Sequence, residues 1–280
     1  KMNRKNKQQL AMALKYVVML LVTLLILFPI LWLITSSFKL EKDLFAIPPT
    51  LFPNPVSLLG YEMALSRPSF VSAITNSVIV AIGSTVMTLF LTLHGAYALA
   101  RVRFFGRAFF AKFILCFYMF PAILLVIPIY MMMTSMHLTN SLFGIMVIHT
   151  ILNIPFCLWL LRAFFITIPA ELEEAAIMDG ASILGAFYRI IIPLSKPGIA
   201  AVSLFSFIAS WSEFLLAYVL VTSNSKKTLP VVLAEEIIGF EMQWSGLLSM
   251  SVIVLIPIFF ACLIFSKYLV EGLSSGAVKG

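Results

Sequence analysis

Charge is scarce in this 280-residue chain: Asp, Glu, Lys and Arg together make up 11% of it, against 61% apolar residues. A soluble domain carries about 25% charged and roughly 45–50% apolar residues, so the composition excludes a water-soluble globule with a large core. Cysteine is rare too, and Cys116, Cys157 and Cys262 each lie inside an apolar run. Such thiols read as small buried hydrophobes; neither a disulfide framework nor a metal site is expected. The phosphate-cradling pattern Gly-x-x-x-x-Gly-Lys-Ser/Thr is missing, which argues against a nucleotide hydrolase in this chain. His-Glu-x-x-His and Gly-x-Ser-x-Gly are missing as well, which argues against a zinc peptidase or a serine hydrolase. There is no short-period repeat and no low-complexity segment.

What the chain has is long uncharged runs. No Lys, Arg, Asp or Glu occurs in residues 16–38, 68–100, 113–161 or 243–266. A membrane-spanning helix needs about 20 mostly apolar residues. The third run, at 49 residues, is too long for one span and divides at the polar turn Met136-His137-Leu138-Thr139-Asn140-Ser141. A further apolar stretch at 197–222 carries one acid, Glu213, and brings the expected number of spans to six. The first run is longer than a signal peptide core and no small-residue cleavage site follows it, so it reads as a retained span.

The basic residues orient these spans. Fourteen Lys and Arg fall on the N-terminal arm, the loops after spans two and four and the C-terminal end, and five on the opposite side. Cytoplasmic loops carry the excess, so both termini are expected in the cytoplasm. This asymmetry accounts for the net charge of +7, and nucleic-acid binding is not expected.

Between spans four and five lies a charged island, Arg162 to Lys196, with Glu171, Glu173, Glu174 and Asp179 among its residues. Pro169 suits a helix start, and the three glutamates sit favourably at its positive end. Ala175, Ala176 and Ile177 offer a small apolar strip, and Gly180 permits a left-handed turn. A second short helix over 182–191 should lead to Pro193 and Pro197. By these properties alone the island fits either an amphipathic helix on the bilayer surface or a docking element for a soluble partner.

The spacing is more specific. Glu174-Ala175-Ala176, three residues, Gly180, nine residues, Ile190, one residue, Ile192-Pro193 closely resembles the EAA loop of ABC importer permeases, with Ile192 where that family has Leu. The runs AYALARVRF (97–104 with Ala96), WLLRAFF (159–165), WSEFLLA (211–217) and LSSGAVKG (273–280) resemble the carbohydrate, maltose-type branch. The resemblance implies an all-α integral membrane fold of the type I importer kind, with a cytoplasmic N-terminal arm (1–15), a first peripheral transmembrane helix (16–38), an extracytoplasmic loop (39–68), a five-helix core (69–271) that includes the cytoplasmic loop 166–196, and a cytoplasmic tail (272–280). It implies a coupling helix at Glu173, Glu174, Ala175, Ala176, Asp179, Gly180 and Pro193 that docks on a separate ATPase, and a tail contact at Ser275, Gly276 and Ala277. The implied partners are a second related permease, two ATPase subunits that bind ATP and Mg, an extracytoplasmic solute-binding protein, membrane lipid and a sugar, in the inner membrane of a bacterium. The chain itself would be non-catalytic and hold no cofactor.

Within the spans, a carboxylate is a functional-site hypothesis by default. On a continuous helix Glu213 would lie roughly 24 Å beyond Pro197. With Trp211 beside it, it suits either a sugar contact or a structural hydrogen bond to a neighbouring helix. His149 and Asn153, four residues apart, share a helix face and either line the pathway or bond between helices. Two other readings compete: an ion-coupled secondary carrier, which typically has several intramembrane charges and repeated halves, and an importer for a non-sugar solute such as glycerol phosphate or a polyol.

Overall fold

A computed structural model of the chain describes residues 4–238 and 243–277, and these residues are helical and connecting segments without a strand. The chain forms two compact units, one of residues 1–67 and 236–255 and one of residues 68–235 and 256–280. In the first unit, α1 (Arg4–Ser37) is followed by the short α2 (Glu41–Leu44) and α3 (Leu59–Leu65). The apolar side chains of α1 are exposed along most of its length, as on a span that meets lipid. At its end, Ser37 donates or accepts a 2.7 Å hydrogen bond with Tyr61. The Glu41 carboxylate accepts from the backbone N–H groups of Trp244 and Ser245, at 3.0 and 2.8 Å, and so caps the start of α14 (Trp244–Ala277), which continues into the second unit.

The second unit is built on α4 (Pro68–Arg101), α7 (Leu142–Thr167) and α11 (Lys196–Trp211). The buried face of α4 carries a stripe of small residues, Ala73, Ser77, Ala81, Ser84, Thr88, Thr92 and Ala96, between larger ones such as Phe70 and Tyr97, and these let neighbouring backbones approach. Gly83 faces Met146 and Gly95 faces Leu158, both on α7, so each glycine lies where another helix packs. Before α7, α5 (Arg107–Tyr118) and α6 (Ala122–Ser135) meet at 98°. After it come α8 (Glu171–Met178), α9 (Ile183–Ala186), a π-helical turn over Phe187–Ile191 and α10 (Ile192–Leu194), then, beyond α11, α12 (Leu215–Leu220) and α13 (Leu229–Ile238). Among the described residues, four helices are long and apolar enough to cross a membrane, and counting each of two bent helix pairs as one span gives six.

Three expectations need correction. The stretch 197–222 is not one helix: α11 stops at Trp211 and α12 starts at Leu215, so Glu213 sits in a break rather than on a continuous rod. The second island helix does not stop at Ile191 but runs on to Leu194 through the π turn, in which the Ile192 N–H reaches Phe187 C=O. Pro193 has no N–H to give to the next regular bond, and the wider turn absorbs that loss. Finally, only Cys157 is buried; Cys116 and Cys262 are exposed, on helix faces that no other part of the described chain covers.

Candidate functional site: a docking loop and a buried polar chain

The charged island has two halves with opposite attachments. In the second half, Phe187 and Ile191 are fully buried in a core cluster with Tyr97, Leu99, Cys157, Leu161, Phe165 and Val202, which fixes the π turn to the bundle. The first half, α8, is bare by comparison. Glu171, Leu172, Glu174, Ala175, Ile177 and Met178 are exposed, Ala176 is half-buried, and Glu173 alone is buried.

The two halves are joined at Gly180, whose φ of +91° is left-handed. The Ala181 N–H donates to Ala176 C=O at 2.9 Å and the Gly180 N–H to Ile177 C=O at 3.0 Å, the bond pair of a Schellman cap. A Cβ at this position would meet nothing within 4 Å, so glycine is required for its backbone and not for space. Ser182 then caps α9 by accepting from the Gly185 N–H at 3.1 Å. Met178 at 87% exposure, with Ile183 and Leu184, makes the outermost part of the loop apolar. Two polar cavities flank α8. One, of about 510 Å³, is lined by Arg101, Arg103, Arg107, Glu173 and Glu174; the other, of about 330 Å³, by Ala176, Asp179, Gly180 and Arg189 among others. Pro193 is exposed at the end of this segment.

Glu173 turns away from the loop surface. Its Oε1 accepts from the Tyr97 hydroxyl, and its Oε2 lies 3.2 Å from Arg101 Nε as an ion pair whose N–H is not aligned for a hydrogen bond. Arg101 Nη2 donates to Ile168 C=O at 2.7 Å, and Arg162 Nε donates to Leu99 C=O at 3.2 Å. These cations satisfy carbonyls at the C-terminal ends of α7 (Ile168) and α4 (Leu99), where the helix dipole favours positive charge.

The intramembrane polar residues form a second constellation. Glu213 bridges the break between α11 and α12: its Oε1 accepts from the Leu216 N–H at 2.8 Å and its Oε2 from the Ala217 N–H at 3.0 Å. That is the work of an N-terminal cap, done here by a carboxylate. Oε2 also lies 3.0 Å from His149 Nε2, while His149 Nδ1 is 2.7 Å from Ser210 Oγ, and Ser84 Oγ is 2.8 Å from Ser210 Oγ. Every atom in this chain is satisfied if Ser84 donates to Ser210, Ser210 to Nδ1, and Nε2–H to the carboxylate. Asn153 donates to Ser206 at 3.3 Å one turn further along the same helix pair. His149 is 2% exposed and Trp211 1%, and Trp211 stacks on Phe207 at 5.7 Å. Of the four residues considered for the substrate pathway, His149 and Glu213 are thus in direct contact, while Asn153 bonds Ser206; His149, Asn153 and Trp211 are buried and Glu213 is partly buried.

Two connections were not expected. Asn140, left-handed at φ 51°, holds the connection after α12: its Nδ2 donates to Ser223 Oγ at 2.7 Å, its Oδ1 accepts from the Ser223 N–H at 3.1 Å, and its C=O accepts from Lys226 Nζ at 2.8 Å. Asn76 donates to the carbonyls of Ser225 and Lys227, each at 2.9 Å, from α4. An Asn in the polar turn 136–141, a residue type enriched in the left-handed region, was the one available sequence signal for the first. Ser275, Gly276 and Ala277 end α14 by backbone, and their side chains lie outside the described residues. Among those described, no group of three or more His, Cys, Asp or Glu could hold a metal ion.

Comparison with known proteins agrees with this architecture. A family model described as the inner membrane component of binding-protein-dependent transport systems matches residues 92–275. The sulfoquinovosyl glycerol transport system permease protein SmoH of Agrobacterium fabrum is 33% identical over 254 residues, 91% of this chain and 89% of that protein. The trehalose/maltose transport system permease protein MalG of Thermococcus litoralis is 33% identical over 265 residues, covering 93% and 94%. A crystal structure of a bacterial ABC transporter involved in the import of the acidic polysaccharide alginate contains a chain that superposes with a TM-score of 0.80 at 26% identity, covering 96% of this chain and 99% of that one. A chain with this many apolar helices and this loop, matched over most of its length, belongs to the family of binding-protein-dependent ABC importer permeases of the inner membrane, and is a non-catalytic subunit of such a transporter.

Proposed function

We propose that this chain forms half of the translocation pathway of a carbohydrate importer, and that the segment 171–196 is where a separate ATPase docks and drives it. The observation that carries the reading is the loop itself: a helix with one buried residue, a glycine-hinged turn and an apolar tip led by Met178. Exposed apolar side chains on a polar loop mark a contact surface. In this reading Glu174, Ala175, Ala176, Asp179 and Gly180 face the ATPase, Glu173 and Pro193 shape the loop that presents them, and both termini lie in the cytoplasm. A second related permease completes the pathway, two ATPase subunits bind ATP and Mg, and a solute-binding protein delivers the sugar. ATP then shifts the pair between two access states from outside this chain. The sugar class rests on relatives whose names specify sulfoquinovosyl glycerol, diacetylchitobiose and trehalose or maltose. Glu213, His149, Asn153 and Trp211 act in this reading as an internal tie that holds the broken fifth span in shape, not as direct sugar contacts.

The test is ATP-dependent uptake of labelled di- and oligosaccharides, glycerol phosphate and polyols by vesicles that contain the complete complex. Saturable sugar uptake that requires both ATP and the binding protein is the expected result. Uptake of glycerol phosphate or a polyol in place of every sugar would refute the substrate class, and uptake driven by an ion gradient without ATP would refute the coupling.

A further inference from the structure

We infer that Glu173 is a positioning residue that sets the pose of the docking loop from the second span, and that Tyr97 and Arg101 exist in their motif to hold it. The inference rests on the docking role proposed above for the loop.

Of the eight residues of α8, Glu173 alone is buried, at 8% exposure. An exposed helix of two turns has too few bonds of its own to hold a fixed orientation, because nucleating a short helix is unfavourable in water. Its pose must come from tertiary contacts: α8 packs on α9 and the π turn, and its side-chain polar contacts to the rest of the bundle converge on one carboxylate. Tyr97 and Arg101 stand four residues apart on α4, so both side chains leave the same face. One oxygen of Glu173 takes the Tyr97 hydroxyl and the other faces Arg101. Arg101 also binds Ile168 C=O, three residues before α8 begins, so the same guanidinium holds the chain entering the helix. The resemblance at AYALAR, which the transport function does not by itself explain, thereby acquires a physical content: its Tyr and its Arg close on the first half of the loop.

Charge placement separates the two adjacent acids. Glu173 is consumed by internal partners, whereas Glu174 is exposed and makes no ion pair among the described residues. The first fixes the helix and the second is left for a partner. The pose matters because α4 also carries Ser84, which bonds Ser210 in the chain that ends at Glu213. One helix therefore bonds the docking loop and, through Ser210 and His149, the polar chain that ends at the break in the fifth span. Spatial continuity alone does not demonstrate coupling, so the claim needs a functional measurement.

The experiment uses the complete reconstituted transporter with Tyr97→Phe, Glu173→Gln, the double variant and Glu174→Gln as a surface comparison. Tyr97→Phe removes one oxygen and Glu173→Gln keeps the shape, so both test the tie at little cost to packing. Co-purification of the ATPase, solute imported per ATP hydrolysed, and amide exchange across residues 171–180 and α7 are measured together. The expected result is a retained ATPase, a solute-per-ATP ratio lowered about fivefold or more, the low end of usual site-to-site coupling, faster exchange in residues 171–180 and unchanged exchange in α7. The double variant should be little worse than Glu173→Gln, since both remove one tie. A wild-type ratio and wild-type loop exchange in Tyr97→Phe and Glu173→Gln would overturn the inference. If those two variants behave normally while Glu174→Gln loses the ATPase, the docking role survives and the tie falls; if the unmodified loop never binds an ATPase, the docking role itself fails.

Discussion

Glu213→Gln is the substitution that the buried polar chain judges most sharply. In the native arrangement one carboxylate faces three donors: the Leu216 and Ala217 N–H groups at 2.8 and 3.0 Å and His149 Nε2 at 3.0 Å. Two carboxylate oxygens offer about four acceptor sites, but the amide of Gln offers one oxygen and turns an NH₂ toward the remaining donors. At least one donor is then left unpaired, at about 1–3 kcal/mol, and the charge-assisted contact to His149 is lost as well. A local change of about 2 kcal/mol moves a two-state ratio by roughly 30-fold. Because the break at 212–214 joins α11 to α12 and the proposed cycle has two access states, loss of this tie should favour the state that depends on it less, without ligand. The assay is basal ATP hydrolysis in vesicles without the binding protein, read beside uptake. Basal hydrolysis should rise and uptake should fall, and His149→Gln should add little to Glu213→Gln, since both cut the same bond. A raised half-saturation concentration with unchanged basal hydrolysis would mean that Glu213 binds the sugar directly. Wild-type uptake with wild-type basal hydrolysis would remove Glu213 from the mechanism.

Other expectations follow from particular positions. Gly180→Asp should abolish transport and ATPase association at near-normal protein levels, since the added side chain meets nothing within 4 Å in this chain but carries backbone strain and a charge onto the docking face; normal uptake would refute the docking role. Gly144→Ala should destabilise the chain by about 1–3 kcal/mol, read as a lower thermal midpoint in detergent, because a Cβ there would lie 2.0 Å from the Leu138 carbonyl oxygen, which belongs to the fixed turn before α7. Sidedness is checked with a membrane-impermeant maleimide: Ser225→Cys should react from outside intact cells and Ile183→Cys only after permeabilisation, and the reverse pattern would invert the topology.

Much of the architecture could be read from the chain because a bilayer imposes it: an apolar run of sufficient length must be helical. The spacing of His149 and Asn153 likewise foretold a shared face, and both do bond to α11, through Ser210 and Ser206. The break after Trp211 could not be read in the same way. No Pro or Gly marks it, and the bonds that replace the missing helix bonds come from a side chain, Glu213, whose other partner is 64 residues away in sequence. The division of labour between Glu173 and Glu174 was equally hidden. Adjacent acids are alike in propensity, and which one turns inward is decided by Tyr97, 76 residues distant. The π turn was half visible, since Pro193 forbids a regular bond but does not say how the chain will absorb the loss.

In the proposed docking, the tip of α8 sits against an ATPase subunit. The most direct test replaces Cys116, Cys157 and Cys262, introduces Met178→Cys, which removes a side chain 87% exposed, and treats the assembled complex with a short bifunctional thiol reagent against cysteines placed on the ATPase. A covalent permease–ATPase product whose yield changes when ATP is added is the expected result. A Met178→Cys thiol that reacts equally well with a small maleimide in the free and assembled chain, and gives no such product, would contradict it.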